Sequence, residues 1–271
     1  MDLSARLRAM IAIKRYGGHL IHHQSDDVGV IEVVDADGIR SLHFGTRSRQ
    51  SAFCLDEPDK VELSYIRAML LNLVFGPEPR RVLILGLGGG SLARFFLTHY
   101  PDAHLVVVEY RSAVARVARQ FFGVPESPRL ELHIADCRDY LHAASAANVE
   151  PFDHIYIDAF DMDGLSPSIN RPDFFQGCGQ LLQPDGSLAI NLWGHHRLCL
   201  DYSLRLLGGG FPDRSAFVRV PHKENVIGFG WGQGVSRNPE REAQTAAQLW
   251  QQKALELPDF LQACQPVRPR P

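Results

Sequence analysis

The sequence lacks any apolar run approaching membrane-spanning length. The patch at residues 10–13 is broken at once by Lys14 and Arg15, whereas a spanning helix needs about 20 apolar residues. The same patch is too short for the apolar region of a secretion signal. An excess of either charge is also missing. Lys and Arg number 28 against 31 Asp and Glu, and the formal net charge of -3 gives no electrostatic case for nucleic acid or an anionic membrane as a partner. The five cysteines (Cys54, Cys137, Cys178, Cys199 and Cys264) show no paired spacing of a zinc site or disulfide framework. They read as small buried hydrophobes in a reducing compartment. A soluble cytoplasmic protein without a metal is therefore expected. No internal repeat is present.

What is there suits one sizeable core with a small extra domain: 271 residues, 45% hydrophobic and 22% charged. The organising stretch is residues 81–92. Four apolar residues, Val82 to Leu85, suit a buried parallel strand, a glycine cluster follows, and Leu92 to Leu97 has helical spacing. Strand, glycine turn and helix form the entry unit of a nucleotide-binding α/β sheet, where bare backbone approaches a ligand. On its own, Gly86-x-Gly88-x-Gly90 is a weak signal, because such clusters also make plain turns.

Upstream, residues 1–18 read as an amphipathic lead-in. Residues 28–34 and 39–44 read as strands joined by a turn at 35–38, so the reading expects a small antiparallel β domain. His19, His22 and His23 fall in it and are expected to be solvated edge residues. Residues 61–74 read as one helix, stopped by Gly76 and Pro77. The expected division is residues 1–75, 76–235 and 236–271: a small β domain with linking helix, a Rossmann-like nucleoside-binding catalytic domain, and a C-terminal helix with a proline-rich tail.

Downstream of the glycines, strand and helix alternate, which predicts a doubly wound parallel sheet. Its strands end in turn at Glu109, Asp136 and Asp158, with Asp161 and Asp163 just beyond; residues 184–186 read as a turn before a fifth strand. Ligands of such sheets bind outside the carboxyl ends of the strands. Each acid alone is better read as a cap on the following helix; the set together favours a ligand crevice. Glu109 stands 23 residues after Gly86, near the ~20-residue offset at which a carboxylate takes a ribose diol. Counted from Gly86, the last glycine of the dinucleotide motif would fall on Ser91, which favours an adenosyl sulfonium over NAD. Asp158 and Asp161, three residues apart on a post-strand loop, can hold and deprotonate an amine.

With the glycine loop, Val108-Glu109, Ala135-Asp136, the run from Phe152 to Asp161 and Leu182-Gln183-Pro184-Asp185-Gly186, residues 28–231 resemble the spermidine/spermine synthase family of polyamine aminopropyltransferases. The resemblance implies a Rossmann-like fold that binds S-adenosylmethionine or its decarboxylated form as co-substrate, a putrescine-like amine as acceptor, and a homodimer. By the same resemblance, Gly86, Gly88, Gly89, Gly90, Gln50, Glu109, Asp136 and Cys137 would hold the donor. Asp158 would be the base, and Asp161, Tyr65 and Asn191 would meet the acceptor. The chain departs from the family pattern at Gly89, where an Asp is usual, at Met162, where Pro is usual, and at Asn191, where Gln is usual. Three functions stay open: aminopropyl transfer to a polyamine, methyl transfer from S-adenosylmethionine, and non-catalytic binding of an adenosyl compound or polyamine.

Overall fold

A computed structural model describes residues 14–161, 164–165 and 168–267, without the side chains of residues 160, 161, 164 and 165. The first unit is a five-stranded antiparallel sheet in sequence order: β1 (Lys14–Arg15), β2 (Gly18–Ser25), β3 (Val30–Ala36), β4 (Ile39–His43) and β5 (Ser51–Cys54). Two of its hairpins turn on residue pairs with positive φ, Tyr16-Gly17 and Asp37-Gly38. Both central residues in that region give the turn twist that matches paired strands. One face, with Ile31, Val33, Leu42 and Phe44, packs on Ala113, Val114, Val117 and Phe122. β1 covers only the start of β2, pairing with Gly18 and His19; His19 and His23 are exposed as expected, and His22 is half-buried. The His22 ring lies 4.8 Å from Phe121, and His23 reaches to 3.9 Å from the buried Glu32.

The linker forms two short helices, α1 (Ser64–Met69) and α2 (Asn72–Phe75), where periodicity alone predicts one. The break has a local cause. Asn72 is wholly buried, donates to the Ser187 carbonyl at 3.1 Å and accepts the Ser187 hydroxyl at 3.0 Å. Those bonds hold the second helix against the main sheet.

The main sheet begins with β6 (Arg81–Leu85), α3 (Ser91–His99), β7 (His104–Glu109), α4 (Ser112–Phe121), β8 (Leu130–Ile134), α5 (Cys137–Ala146) and β9 (Phe152–Ile157). A two-residue hairpin, β10 (Phe160–Asp161) and β11 (Gly164–Leu165), precedes α6 (Pro172–Leu181), β12 (Leu182–Trp193), α7 (Arg197–Gly210), β13 (Ser215–Arg219) and β14 (Asn225–Trp231). The chain continues through α8 (Pro239–Lys253) and α9 (Leu257–Ala263) to β15 (Gln265–Pro266). The spatial order is β15-β13-β14-β12-β9-β6-β7-β8. Strands β12, β9, β6, β7 and β8 are parallel, while β14, β13 and β15 are antiparallel. The sheet is thus mixed where alternation predicted a parallel one, because a tight turn rather than a helix joins β13 to β14 and can only reverse the chain. Residues 184–186 form an irregularity inside β12, where the register shifts between Leu182 and Ser187.

From β6 the chain steps outward to β7 and β8, then returns to place β9 on the other side of β6. The switch point therefore lies between the carboxyl ends of β6 and β9, the place where open α/β sheets take ligands. The C-terminal helices close the opposite layer. Ala246, Leu249, Leu257 and Phe260 join one apolar core with Phe75 and Trp231. Arg237 covers those two rings at 4.5 and 4.7 Å. Among the described residues, no helix is long and apolar enough to cross a membrane.

Candidate active site

The glycine loop is fixed from both sides. A Cβ on Gly86 would lie 2.3 Å from the Asp158 carbonyl oxygen, and one on Gly90 would lie 2.1 Å from Val124. Both positions have positive φ as well, so glycine is required at each. Gly88 differs: the only neighbour within 4 Å of its missing Cβ is the Gln50 carbonyl oxygen, at 4.0 Å. Its front is the open part of the loop. Gly89 is packed, with Ser51 and Phe122 standing where a side chain would go.

Glu109 closes β7 and is buried. One carboxylate oxygen accepts the Leu87 amide at 3.0 Å, and the other accepts the Arg111 amide at 2.9 Å. Burial raises its pKa, and those amides with that of Gly88 work against the rise. Each carboxylate oxygen can accept twice, so capacity remains for a vicinal diol beside the loop. Arg111 anchors the small sheet here. Its guanidinium meets both Asp26 oxygens, at 3.0 and 2.7 Å, and the Gly29 carbonyl at 2.8 Å. Such forked pairs are strong and directional.

Asp136 caps α5, accepting the amides of Arg138 at 2.8 Å and Asp139 at 3.4 Å. The Cys137 side chain is packed in the apolar core with Leu141 and Cys178. Burial pushes its thiol up to about 12. Two residues that sequence reasoning passed over flank this end of the crevice. Tyr110 is 61% exposed directly after Glu109, and Ile134, paired with Glu109 across the ladder, is 50% exposed. They form an exposed apolar pair at adjacent strand ends beside Glu109. Position next to a strand-end acid was the available signal.

Asp158 stands at the other end, where β9 stops. Its amide donates to the Leu85 carbonyl at 2.8 Å, which ties it to the start of the glycine loop. Asn191 donates to one carboxylate oxygen at 2.9 Å, and the Tyr65 hydroxyl donates to the other at 3.2 Å. Tyr65 also lies 3.3 Å from the Gln50 carbonyl, and Asn225 donates to the Asn191 side chain at 3.0 Å. Burial pushes the Asp158 carboxyl up to about 6, and the bonds from Asn191 and Tyr65 restrain the rise. Part of the residue remains open to solvent. Burial, and then the Asp158 charge, hold the Tyr65 hydroxyl well above its ordinary pKa, so it serves as a donor.

The structure thus brings together Asp158, Asn191, Tyr65 and the Gln50 carbonyl beside Gly86 and Gly88, with Glu109 across the loop. Asn225 had no motif to announce it. The Asp161 backbone pairs with Gly164, and its side chain lies outside the described part, as do Met162 and Asp163. His195 and His196 are exposed past the end of β12, as expected for a polar strand exit.

Comparison with known proteins gives this arrangement a lineage. The spermine/spermidine synthase domain matches residues 65–208. A polyamine aminopropyltransferase of Chromobacterium violaceum is 36% identical over 178 residues, covering 65% of this chain and 67% of its own. A human eEF1A lysine and N-terminal methyltransferase is 34% identical over 148 residues, which is 50% of this chain and 20% of that protein. A probable spermidine synthase from Corynebacterium glutamicum shares the fold with a TM-score of 0.70 at 21% identity, covering 92% of this chain and 96% of its own. The chain belongs to the spermine/spermidine synthase family and is a transferase.

Proposed function

We propose that the protein transfers an alkyl group from an adenosyl sulfonium donor to a polyamine-type amine, with Asp158 receiving the ammonium proton. The observation that carries this reading is the Asp158 carboxylate, pushed up to about 6 and held by Asn191 and Tyr65 beside the glycine loop. An alkylammonium titrates near ~10.4 and has no free lone pair until a base takes its proton. An unperturbed carboxylate would lie about 6.6 pH units below that amine, and raising Asp158 from 3.8 to about 6 narrows the gap to about 4.4. The change is worth about 3 kcal/mol in proton transfer. A sulfonium positioned nearby lowers the ammonium pKa further, as any neighbouring cation does.

The chain's other residues orient. Glu109 offers its remaining acceptor capacity to the ribose diol, and Gly88 leaves the loop open for the sulfur. Asn191 fixes the rotation of the Asp158 carboxylate. Alignment of nitrogen, carbon and sulfur then supplies much of the acceleration. Asp136, Cys137 and Gln50 are proposed to complete the donor site, and Asp161 to meet the acceptor. In the named bacterial relative the group moved is aminopropyl, which is the first reading here, with decarboxylated S-adenosylmethionine as donor, putrescine-like acceptor and a cytoplasmic homodimer. A second reading, methyl transfer from S-adenosylmethionine, is favoured by Gly89, which brings no carboxylate to the loop, and by the likeness to the human methyltransferase.

The test is incubation of purified protein with each donor and putrescine, followed by mass analysis of the amine. Wild type is expected to add an alkyl group that Asp158→Asn does not add, while the two bind methylthioadenosine alike. Equal turnover in the variant would remove Asp158 from the base role.

A further inference from the structure

The three-carbon arm of an adenosyl sulfonium ends either in an ammonium alone or in an ammonium and a carboxylate. With the ribose at Glu109 and the reacting carbon facing Asp158, that end must lie along the glycine loop. The flank of the loop is formed by β5. Ser51, its first residue, is 5% exposed. Its Oγ lies 2.6 Å, and its Cβ 2.8 Å, from where a Cβ on Gly89 would stand, with Phe122 at 3.0 Å. Gly89 is therefore more than an absent side chain: a neighbouring strand has filled the room that a side chain there would need.

What fills it is neutral. The Ser51 hydroxyl faces the Ser91 hydroxyl at 3.5 Å, the outer limit of a hydrogen bond, so both are free to turn toward a better partner. Of the carboxylates described in the crevice, Glu109 has its remaining capacity assigned to the ribose and Asp158 to the reacting amine, so neither is left for the end of the arm. Among the described residues, a lone ammonium on the arm would find no dedicated carboxylate along this flank. A carboxylate on the arm would find two hydroxyl donors.

We infer that Ser51, together with Ser91, selects the donor, and that the selection favours S-adenosylmethionine with its carboxylate intact over the decarboxylated form. This rests on the adenosyl reading above and, of its two donors, takes the second, methyl-transfer reading over the first. With that donor, the carbon–sulfur bond to the methyl group breaks and its electron pair returns to sulfur as a neutral thioether. A carbon–nitrogen bond forms, and the proton lost by the ammonium goes to Asp158.

Calorimetric titration with methylthioadenosine, S-adenosylmethionine and decarboxylated S-adenosylmethionine separates the possibilities. Methylthioadenosine has no charged arm and reports the adenosyl site alone. Wild type should bind S-adenosylmethionine at least about tenfold more tightly than the decarboxylated donor, and Ser51→Asp should reverse that order by setting like charges together. Ser91→Asp should shift the ratio in the same direction. It stands at the first position of α3, where a carboxylate is tolerated, and serves if Ser51→Asp does not fold. Wild-type preference for the decarboxylated donor, or a ratio unmoved in folded variants that still bind methylthioadenosine, would overturn the role of Ser51. Failure of wild type to bind methylthioadenosine would instead sink the adenosyl reading.

Discussion

At the amino ends of β9 and β12, His154 and Ser187 pair across the ladder; at the carboxyl ends of the same strands, Asp158 meets Asn191. Both clusters are polar groups set within an apolar sheet, and both recruit a residue from the linker helices, Asn72 below and Tyr65 above. They differ in closure. His154 has a partner on each ring nitrogen, the Pro77 carbonyl at 2.8 Å and the Ser187 hydroxyl at 3.0 Å, and is wholly buried. Burial pushes it down to about 4, so it stays neutral. Asp158 keeps an opening to solvent and is pushed the other way, up to about 6. A satisfied cluster fixes the fold, whereas one left raised and reachable is poised to exchange a proton.

Exchanging the charge of the open cluster should have the largest effect. Asp158→Asn keeps a side chain of the same shape that still accepts from Asn191, so the fold survives. Turnover is expected to fall by a factor on the order of 10³, the range for a lost general base. The same variant should be more stable than wild type at pH 7, by up to about 3 kcal/mol, because a carboxylate held about two pH units above its ordinary value opposes folding once ionised. Rate and denaturant midpoint measured on one preparation check both, and a variant that lost activity and stability together would show that Asp158 is structural.

The closed cluster should respond in the opposite sense. His154→Ala leaves Ser187, Asn72 and the Pro77 carbonyl short of a partner and opens a hole in the core. A loss of about 3 kcal/mol is expected, with kcat changed little in protein that remains folded. A drop in kcat at full folding would break the division between the two ends.

Proton linkage sharpens the contrast. His154 is depressed from 6.5 to about 4, so its contribution is complete above pH 6.5 and is lost as pH falls toward 4. Asp158 is raised from 3.8 to about 6, so its contribution is complete below pH 4 and is lost as pH rises toward 6. Across about pH 4 to 6.5 the two slopes oppose one another. The stability advantage of Asp158→Asn over wild type should therefore grow from near zero at pH 4 to its full value above pH 6. Urea titrations at four pH values measure it, and an advantage independent of pH would mean that Asp158 is not raised.

Much of the open end could be read from residues alone, and little of the closed end. Gly86, Glu109 and Asp158 announced themselves because a strand-end residue follows directly from chain order, and the alternation of strand and helix fixes which ends are neighbours. Asn225 and Ser51 did not, because each reaches the site from an antiparallel strand whose register no local pattern encodes. The Asn72–His154–Ser187 cluster was invisible for another reason: Asn72 lies 82 and 115 residues from its two partners, and no local pattern brings a helix residue to them. Asp136 shows the converse. This strand-end acid caps a helix through one carboxylate oxygen, a use that residue type and position could not tell from ligand binding.

The smallest expected effect tests how the open cluster is held. Asn225 touches Asn191 and has no hydrogen bond to Asp158, so it is a positioning residue. Asn225→Ala removes the donor that fixes the Asn191 amide, and Asn191 then spends less time donating to the carboxylate. That bond is one of two that restrain the upward shift, so loosening it should move the lower limb of the pH–rate profile above about 6, by a few tenths of a pH unit. The accompanying fall in kcat should be no more than about fivefold, equivalent to the ~1 kcal/mol of a single net hydrogen bond. Asn225→Gln, which can reach the same amide, should restore part of the loss. A lower kcat with an unmoved profile would place Asn225 in the packing of β14 and take it out of the chain that tunes Asp158.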